Sequence, residues 1–144
     1  DHLWVVRALE HCCAYPENRY LFQTKNPAGF EGWQFPPNTI LGITLESNRA
    51  ILSISKAPLP LTRVVDFIKL DYPKMVSIEP VLDFDVDLLV AEIKLIQPEF
   101  VSIGADSQRH HLPEPTGDKI LKLVDELKKF TEVKTKDNLK RLLK

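Results

Sequence analysis

A chain of 144 residues, 44% hydrophobic and 27% charged, is large enough to bury a real core as one domain spanning residues 1–144, with the composition of a globular protein. Its formal net charge of −1 argues against a broad nucleic-acid-binding surface. No apolar run approaches a transmembrane length and no signal-peptide pattern is present, so no membrane partner is expected; Cys12 and Cys13, neighbours too close to pair, fit a reduced, cytoplasmic setting.

In chain order, Asp1 is placed to cap a helix whose apolar side is Leu3, Val6, Leu9 and Cys13, ended by Pro16 and Asn18. The chain opens on Asp1 rather than Met, and inside this helical pattern, which suggests that it continues a longer protein. Arg19–Thr24 reads as a strand, and Ala28–Asn38 as a loop with at most one short turn. Thr39–Leu45 is the next strand. Arg49–Leu59 fits helix or strand equally and is stopped by Pro58 and Pro60. Leu61–Leu70 is a helix with Val64, Val65 and Ile68 on one side. The stretch Lys74–Asp85 holds a buried strand (Met75, Val76, Ile78) ending in Glu79 and followed by Pro80 and Asp83. Asp85–Ile96 is a helix burying Leu88, Leu89, Ile93 and Ile96, and Phe100–Ile103 is a strand. After the polar loop Gln108–Pro115, Thr116 caps an amphipathic helix with Ile120, Leu123, Val124 and Leu127 inside. Glu132–Thr135 is a short strand, and Asn138 caps a last helix, Leu139–Leu143.

About five strands alternating with helices imply parallel pairing through right-handed crossovers, and continuously apolar strands imply cover on both faces. The expected fold is α/β, a partial (β/α) barrel of TIM-like type, with a doubly wound open sheet as runner-up. Neither G-x-G-x-x-G nor G-x-x-x-x-G-K occurs, which weighs against a nucleotide-binding open sheet.

In a barrel, residues at the carboxyl ends of strands face one mouth. Here these are Gln23, Thr24 and Lys25; Thr44, Glu46 and Ser47; Glu79; Asp106 and Ser107; Lys134 and Lys136. Charges of both signs with hydroxyls between them suit a zwitterionic ligand, lysine meeting a carboxylate and Glu or Asp meeting an ammonium or ribose hydroxyls. A plainer reading makes Lys25 and Glu79 a structural ion pair at the rim, and another makes Glu79 a general base. His110 and His111 lack other ligands at zinc-like spacing and read as a solvated loop. Cys12 and Cys13 read as small buried hydrophobes. Trp33 with Phe30 and Phe35 fits loop packing better than base stacking. Lys128, Lys129, Lys134, Lys136, Lys140 and Arg141 read as a solvated basic face.

The strand ends also carry a resemblance. YLFQTKNP (Tyr20–Pro27), GITLESNR (Gly42–Arg49), VSIEPVLDFD (Val76–Asp85) and VSIGADS (Val101–Ser107) with LPEP (Leu112–Pro115) resemble a phage- and prokaryote-associated protein family near spore photoproduct lyase, in the radical S-adenosylmethionine superfamily. The resemblance covers nearly the whole chain from about Trp4. It implies a partial (β/α) barrel whose mouth holds a [4Fe–4S] cluster and S-adenosylmethionine, the cluster reducing the sulfonium to release a 5′-deoxyadenosyl radical. It implies that Lys25 and Ser47 hold the methionine carboxylate, with Thr44, Glu46, Glu79 and Asp106 as nearby cofactor contacts. The chain departs from the pattern at the cluster, which needs three cysteines at C-x-x-x-C-x-x-C spacing. Cys12 and Cys13 cannot supply them, so the expectation is the later part of a barrel lacking its first strand or strands, inactive alone in radical chemistry. It would be completed by a missing N-terminal segment or a partner. A nucleic-acid or nucleobase substrate is the weakest of these implications, and a cluster-free binding domain is the alternative.

Overall fold

The structure, a computed structural model, describes residues 2–108 and 110–144. Helix α1 (His2–Cys13) precedes strand β1 (Tyr20–Thr24), a 3-10 turn (Pro27–Phe30) and strand β2 (Thr39–Thr44). Then come α2 (Pro60–Ile68), β3 (Lys74–Ile78), α3 (Val86–Ile96), β4 (Phe100–Ile103), α4 (Gly117–Leu127), β5 (Glu132–Thr135) and a last 3-10 helix (Asp137–Leu142). All four strand pairings are parallel, and the strands lie in the order β1-β2-β3-β4-β5.

That order is informative. A doubly wound sheet needs a reversal of strand order, and there is none here. Parallel crossovers of one hand moving always in one direction put their helices on one face, and α2 packs on α3 and α3 on α4. The chain is thus an α/β fold with a five-stranded, all-parallel sheet, compatible with part of a barrel. In a flat sheet β1 and β5 would lie about 19 Å apart, at ~4.8 Å per strand. Yet Tyr20, Leu21 and Ile40 at one edge share a hollow of about 380 Å³ with Phe100, Glu132 and Lys134 at the other. The sheet curls.

Period-two alternation gives it two unlike faces. Leu41, Ile43, Val76, Ile78, Val101 and Ile103 face the helices and form the core with Val64, Phe67, Leu89, Ile93, Ile120, Leu123 and Leu127. The other face carries Gln23, Gly42, Thr44, Met75, Ser77, Phe100, Ser102 and Lys134 in aligned rows. Gly42 makes room on that face: a Cβ there would lie 2.9 Å from the Met75 sulfur and 3.2 Å from Gln23 Cβ.

Several expectations need correction. Arg49–Leu59 forms turns, neither helix nor strand. Helix α2 buries Pro60, Arg63, Val64 and Phe67, so Val65 and Ile68 lie exposed rather than inside; Leu88 of α3 is exposed as well. Helix α1 buries only Leu9, and Cys13 is exposed, so the reading of both cysteines as buried hydrophobes fails; Asp1, expected to cap this helix, lies outside the described residues. Lys136, not Asn138, precedes the last 3-10 helix, and the Asn138 side chain instead bridges the backbone of Ala105. Thr116 does cap α4, its hydroxyl accepting from Lys119 N. Phe30 and Phe35 pack on the core, Phe35 against Phe22 and Tyr72. No helix among the described residues is long and apolar enough to cross a membrane.

Candidate functional site at the carboxyl ends of the strands

The parallel register sets the site's frame. Thr44, Ser77 and Ser102 are direct neighbours on β2, β3 and β4, with Lys134 next on β5. They form a polar row across the concave face. Two residues further along, the strand ends carry Glu46, Glu79, Gly104 and Lys136. Thr44 Oγ1 accepts from the Gln23 amide at 2.8 Å, and the Lys134 ammonium sits 3.9 Å from the centre of the Phe100 ring, within cation–π range.

Glu46 is almost fully buried, and a buried carboxylate needs partners. It has two cations. Lys25, at the end of β1, pairs with Oε1. Arg63, buried in the first turn of α2, donates to Oε2 at 2.7 Å and to the Thr44 carbonyl at 3.0 Å, while its Nε donates to the Pro58 carbonyl at 2.6 Å. Burial alone would raise the Glu46 pKa; hydrogen bonds from Lys25, its own backbone N–H and Arg63 outweigh it and hold the carboxyl below its ordinary value. With Glu46 ionised, this three-residue cluster carries a net charge of +1. Lys25 is its half-exposed member and the one able to meet an incoming anion.

On the other side of the sheet axis, Glu79 crosses over β4 to pair with Lys136, and Asn138 donates to it at 3.4 Å. Gly104 permits the crossing, since a Cβ there would lie 2.6 Å from Glu79 Oε1. The expected Lys25–Glu79 pair is therefore corrected: each residue has a different partner, Glu46 for Lys25 and Lys136 for Glu79.

Ser47 and Asp106 are engaged in holding loops. The Ser47 hydroxyl donates to the Asp83 carbonyl at 2.7 Å and accepts from Arg49 N at 3.0 Å. Arg49 in turn binds Asp83 and Asp85, and Lys119 binds Asp83. The Arg49 guanidinium holds the Asp85 carboxyl down at about 2. Asp106 is held by residues that follow it: its carboxylate accepts from Gln108 N, His110 N and the His110 ring, and these bonds outweigh its desolvation and lower its pKa. Glu79, Asp106 and His110 line a hollow of about 250 Å³ at this end of the sheet, whereas His111 opens onto another, beside Glu114 and Arg141.

Of the six residues expected to contact cofactor, Lys25, Thr44 and Glu46 come together in one cluster. Glu79 stands at the end of the adjacent strand, Ser47 turns toward Asp83, and Asp106 turns toward Gln108 and His110. Sequence reasoning missed Arg63, Ser77 and Ser102. A lone arginine at a helical phase shared with Pro60, Val64 and Phe67 was the signal for the first, and the hydroxyls' period-two register was the signal for the others.

The cluster implied by the resemblance does not fit these residues. Cys12 and Cys13 lie on α1, and among the described residues no group of three His, Cys, Asp or Glu side chains could hold a metal ion. No step through a cluster is assigned to this chain. Comparison with protein-family models, with curated proteins and with solved structures finds no match.

Proposed function

We propose that this chain is a partial (β/α) barrel of TIM-like type whose strand-end mouth binds S-adenosylmethionine, as the ligand-binding part of a radical S-adenosylmethionine-type enzyme. The observation that carries the reading is the Lys25–Glu46–Arg63 cluster. Its surplus positive charge, with the half-exposed ammonium of Lys25 at the mouth, suits the ligand's carboxylate. Glu79 on the neighbouring strand end suits its ammonium or ribose hydroxyls, and the Thr44–Ser77–Ser102 row supplies neutral donors and acceptors between them. The four strand-end segments that carry the resemblance are the segments that build this mouth.

What these residues do in such an enzyme is bind and orient. Glu46 fixes the position of Lys25, Arg63 fixes Glu46 to α2, and Gly104 lets Glu79 lean toward β5. The test is equilibrium binding of S-adenosylmethionine to the native full-length protein. Lys25→Ala is expected to weaken it about tenfold or more, the loss of one charge-assisted contact. Unchanged affinity, or no binding in the parent protein, would overturn the reading.

The missing cysteine set favours a second reading, a cluster-free binding domain using the same mouth for another zwitterion. Iron analysis of the native protein prepared under strict anaerobiosis separates the two: stoichiometric iron and sulfide support the enzyme, and their absence supports the binding domain.

A further inference from the structure

Helices α2, α3 and α4 follow one rule. On α4, two residues that precede buried positions face α3: Lys119 precedes Ile120 and pairs with Asp83 just ahead of α3, and Lys122 precedes Leu123 and pairs with Asp87 at 3.6 Å. Because the helices run parallel, the residues before the buried positions of α3 face α2. These are Leu88 before Leu89, Glu92 before Ile93 and Leu95 before Ile96, at i, i+4 and i+7. By the same rule the residues after the buried positions of α2 face α3: Val65 follows Val64 and Ile68 follows Phe67, with Leu61 one turn earlier.

The two grooves differ in kind. The α3–α4 groove is edged by charged pairs. The α2–α3 groove is edged by Leu61, Val65, Ile68, Leu88 and Leu95, exposed by 57, 44, 42, 60 and 64%. The outward side of a solvated helix is normally polar, and five exposed apolar side chains on the facing sides of two packed helices point to an interaction site. Glu92 lies on the same side of α3 as Leu88 and Leu95, and its Oε2 is buried with no hydrogen-bond partner among the described residues.

We propose that the groove between α2 and α3 docks an amphipathic helix of a partner protein, which lays an apolar stripe on Leu61, Val65, Ile68, Leu88 and Leu95 and directs one lysine or arginine at Glu92. Charge complementarity selects this occupant. An apolar partner alone would deepen the burial of an unpaired carboxylate, and a second copy of this chain apposed through the same face would bring a second uncompensated Glu92 into the interface and no cation from that face. A partner cation supplies what the groove lacks. Burial already pushes the Glu92 pKa up to about 7, as expected for a carboxyl with no charge to answer it.

The probe is a helical peptide of about 18 residues, long enough to populate helix in water, with leucines at i, i+3, i+4 and i+7 spacing and one lysine within that stripe. Its control carries norleucine in place of the lysine. Binding to the 144-residue chain is followed by backbone amide shifts. The lysine peptide is expected to shift amides of α2 and α3, and Val65→Asp to abolish this. Glu92→Gln is expected to weaken the lysine peptide about tenfold while sparing the norleucine peptide, a selective loss of one buried charge pair. Leu95→Asp is a second groove variant, and both sites are exposed, so folding is checked by the unchanged spectrum of the core. Absence of shifts in α2 and α3, equal losses for both peptides in Glu92→Gln, or a dimer of the parent chain that Val65→Asp dissociates would each overturn the proposal.

Discussion

Replacing Arg63 by Met leaves Glu46 with half its compensation. The arginine is buried on the helix, and three of its contacts are to groups that would lose a donor: the Glu46 carboxylate and the carbonyls of Thr44 and Pro58. Stranding a buried carboxylate is worth about 2–4 kcal/mol, and Arg63→Met is expected to lower unfolding stability by about that amount in urea denaturation. Pairing it with Glu46→Gln should restore part of the loss, because the second change removes the charge that the first left exposed to low dielectric. Gly104 poses a steric version of the same problem. A methyl group at Gly104 meets the Glu79 carboxylate, so Gly104→Ala is expected to cost about 1–2 kcal/mol, in the range of overpacking. In a Glu79→Ala background that cost should largely vanish, and a double-mutant cycle reads the difference. Neither relation is legible in a sequence. Lys25, Glu46 and Glu79 announce themselves as charges at strand ends, but their partners depend on which side chain can cross which strand, and Gly104 decides that for Glu79.

At the scale of elements, the strands and the buried face of α4 were legible, whereas the face of α2 and the position of Leu88 on α3 were not. Each strand is a short apolar run between turn residues, and in a parallel sheet the identity of the run is enough to place it. The helices α2 and α3 carry more apolar residues than the core has room for. Val64, Val65 and Ile68 on α2, and Leu88 and Leu89 on α3, all qualify by spacing, and the choice between them rests on how the helix is rolled against the sheet. In α2 the roll is set by Arg63 reaching Glu46 and by Phe67 filling the core, which turns Val65 and Ile68 outward. The difference is measurable. Leu89→Ala, at a fully buried site, is expected to cost about 2–4 kcal/mol, whereas Leu95→Lys, one turn and a half away on the exposed side, should change stability by less than about 0.5 kcal/mol. Comparable losses at the two sites would mean that the helix is rolled differently. Asn138 fails in a similar way: its type suits a cap, but in the folded chain the backbone of Ala105 is the nearer claimant.

For the whole molecule, the paired and unpaired carboxyls oppose each other in their dependence on pH. Glu46, Asp83 and Asp85 have folded pKa values below their ordinary ones, each through its cationic partners, with Asp85 at about 2 against an ordinary 3.8. Such groups stabilise the fold above their unfolded pKa values, and the contribution disappears as pH falls through the folded ones. Stability should therefore rise from about pH 2 to about pH 4.5. Glu92 acts in the other direction. Its folded pKa, about 7, lies above its ordinary 4.5 because of burial, so the folded state holds a proton that the unfolded state has released. Between those two values stability falls as pH rises, and above about 7 the full penalty of an ionised, half-buried carboxylate is present. Allowing for solvent around a half-buried group, the penalty is on the order of 1–2 kcal/mol. Denaturant midpoints measured from pH 2 to 9 are expected to peak near pH 4.5–5 and to decline toward neutrality. Glu92→Gln should abolish the decline and leave the acid limb in place, while Arg49→Ala, which releases Asp85 but leaves Asp83 with Lys119 and Glu46 with its own cations, should make the acid limb shallower and leave the decline. A midpoint that climbs steadily through pH 7 in the parent protein would mean that Glu92 already has a cation at its side.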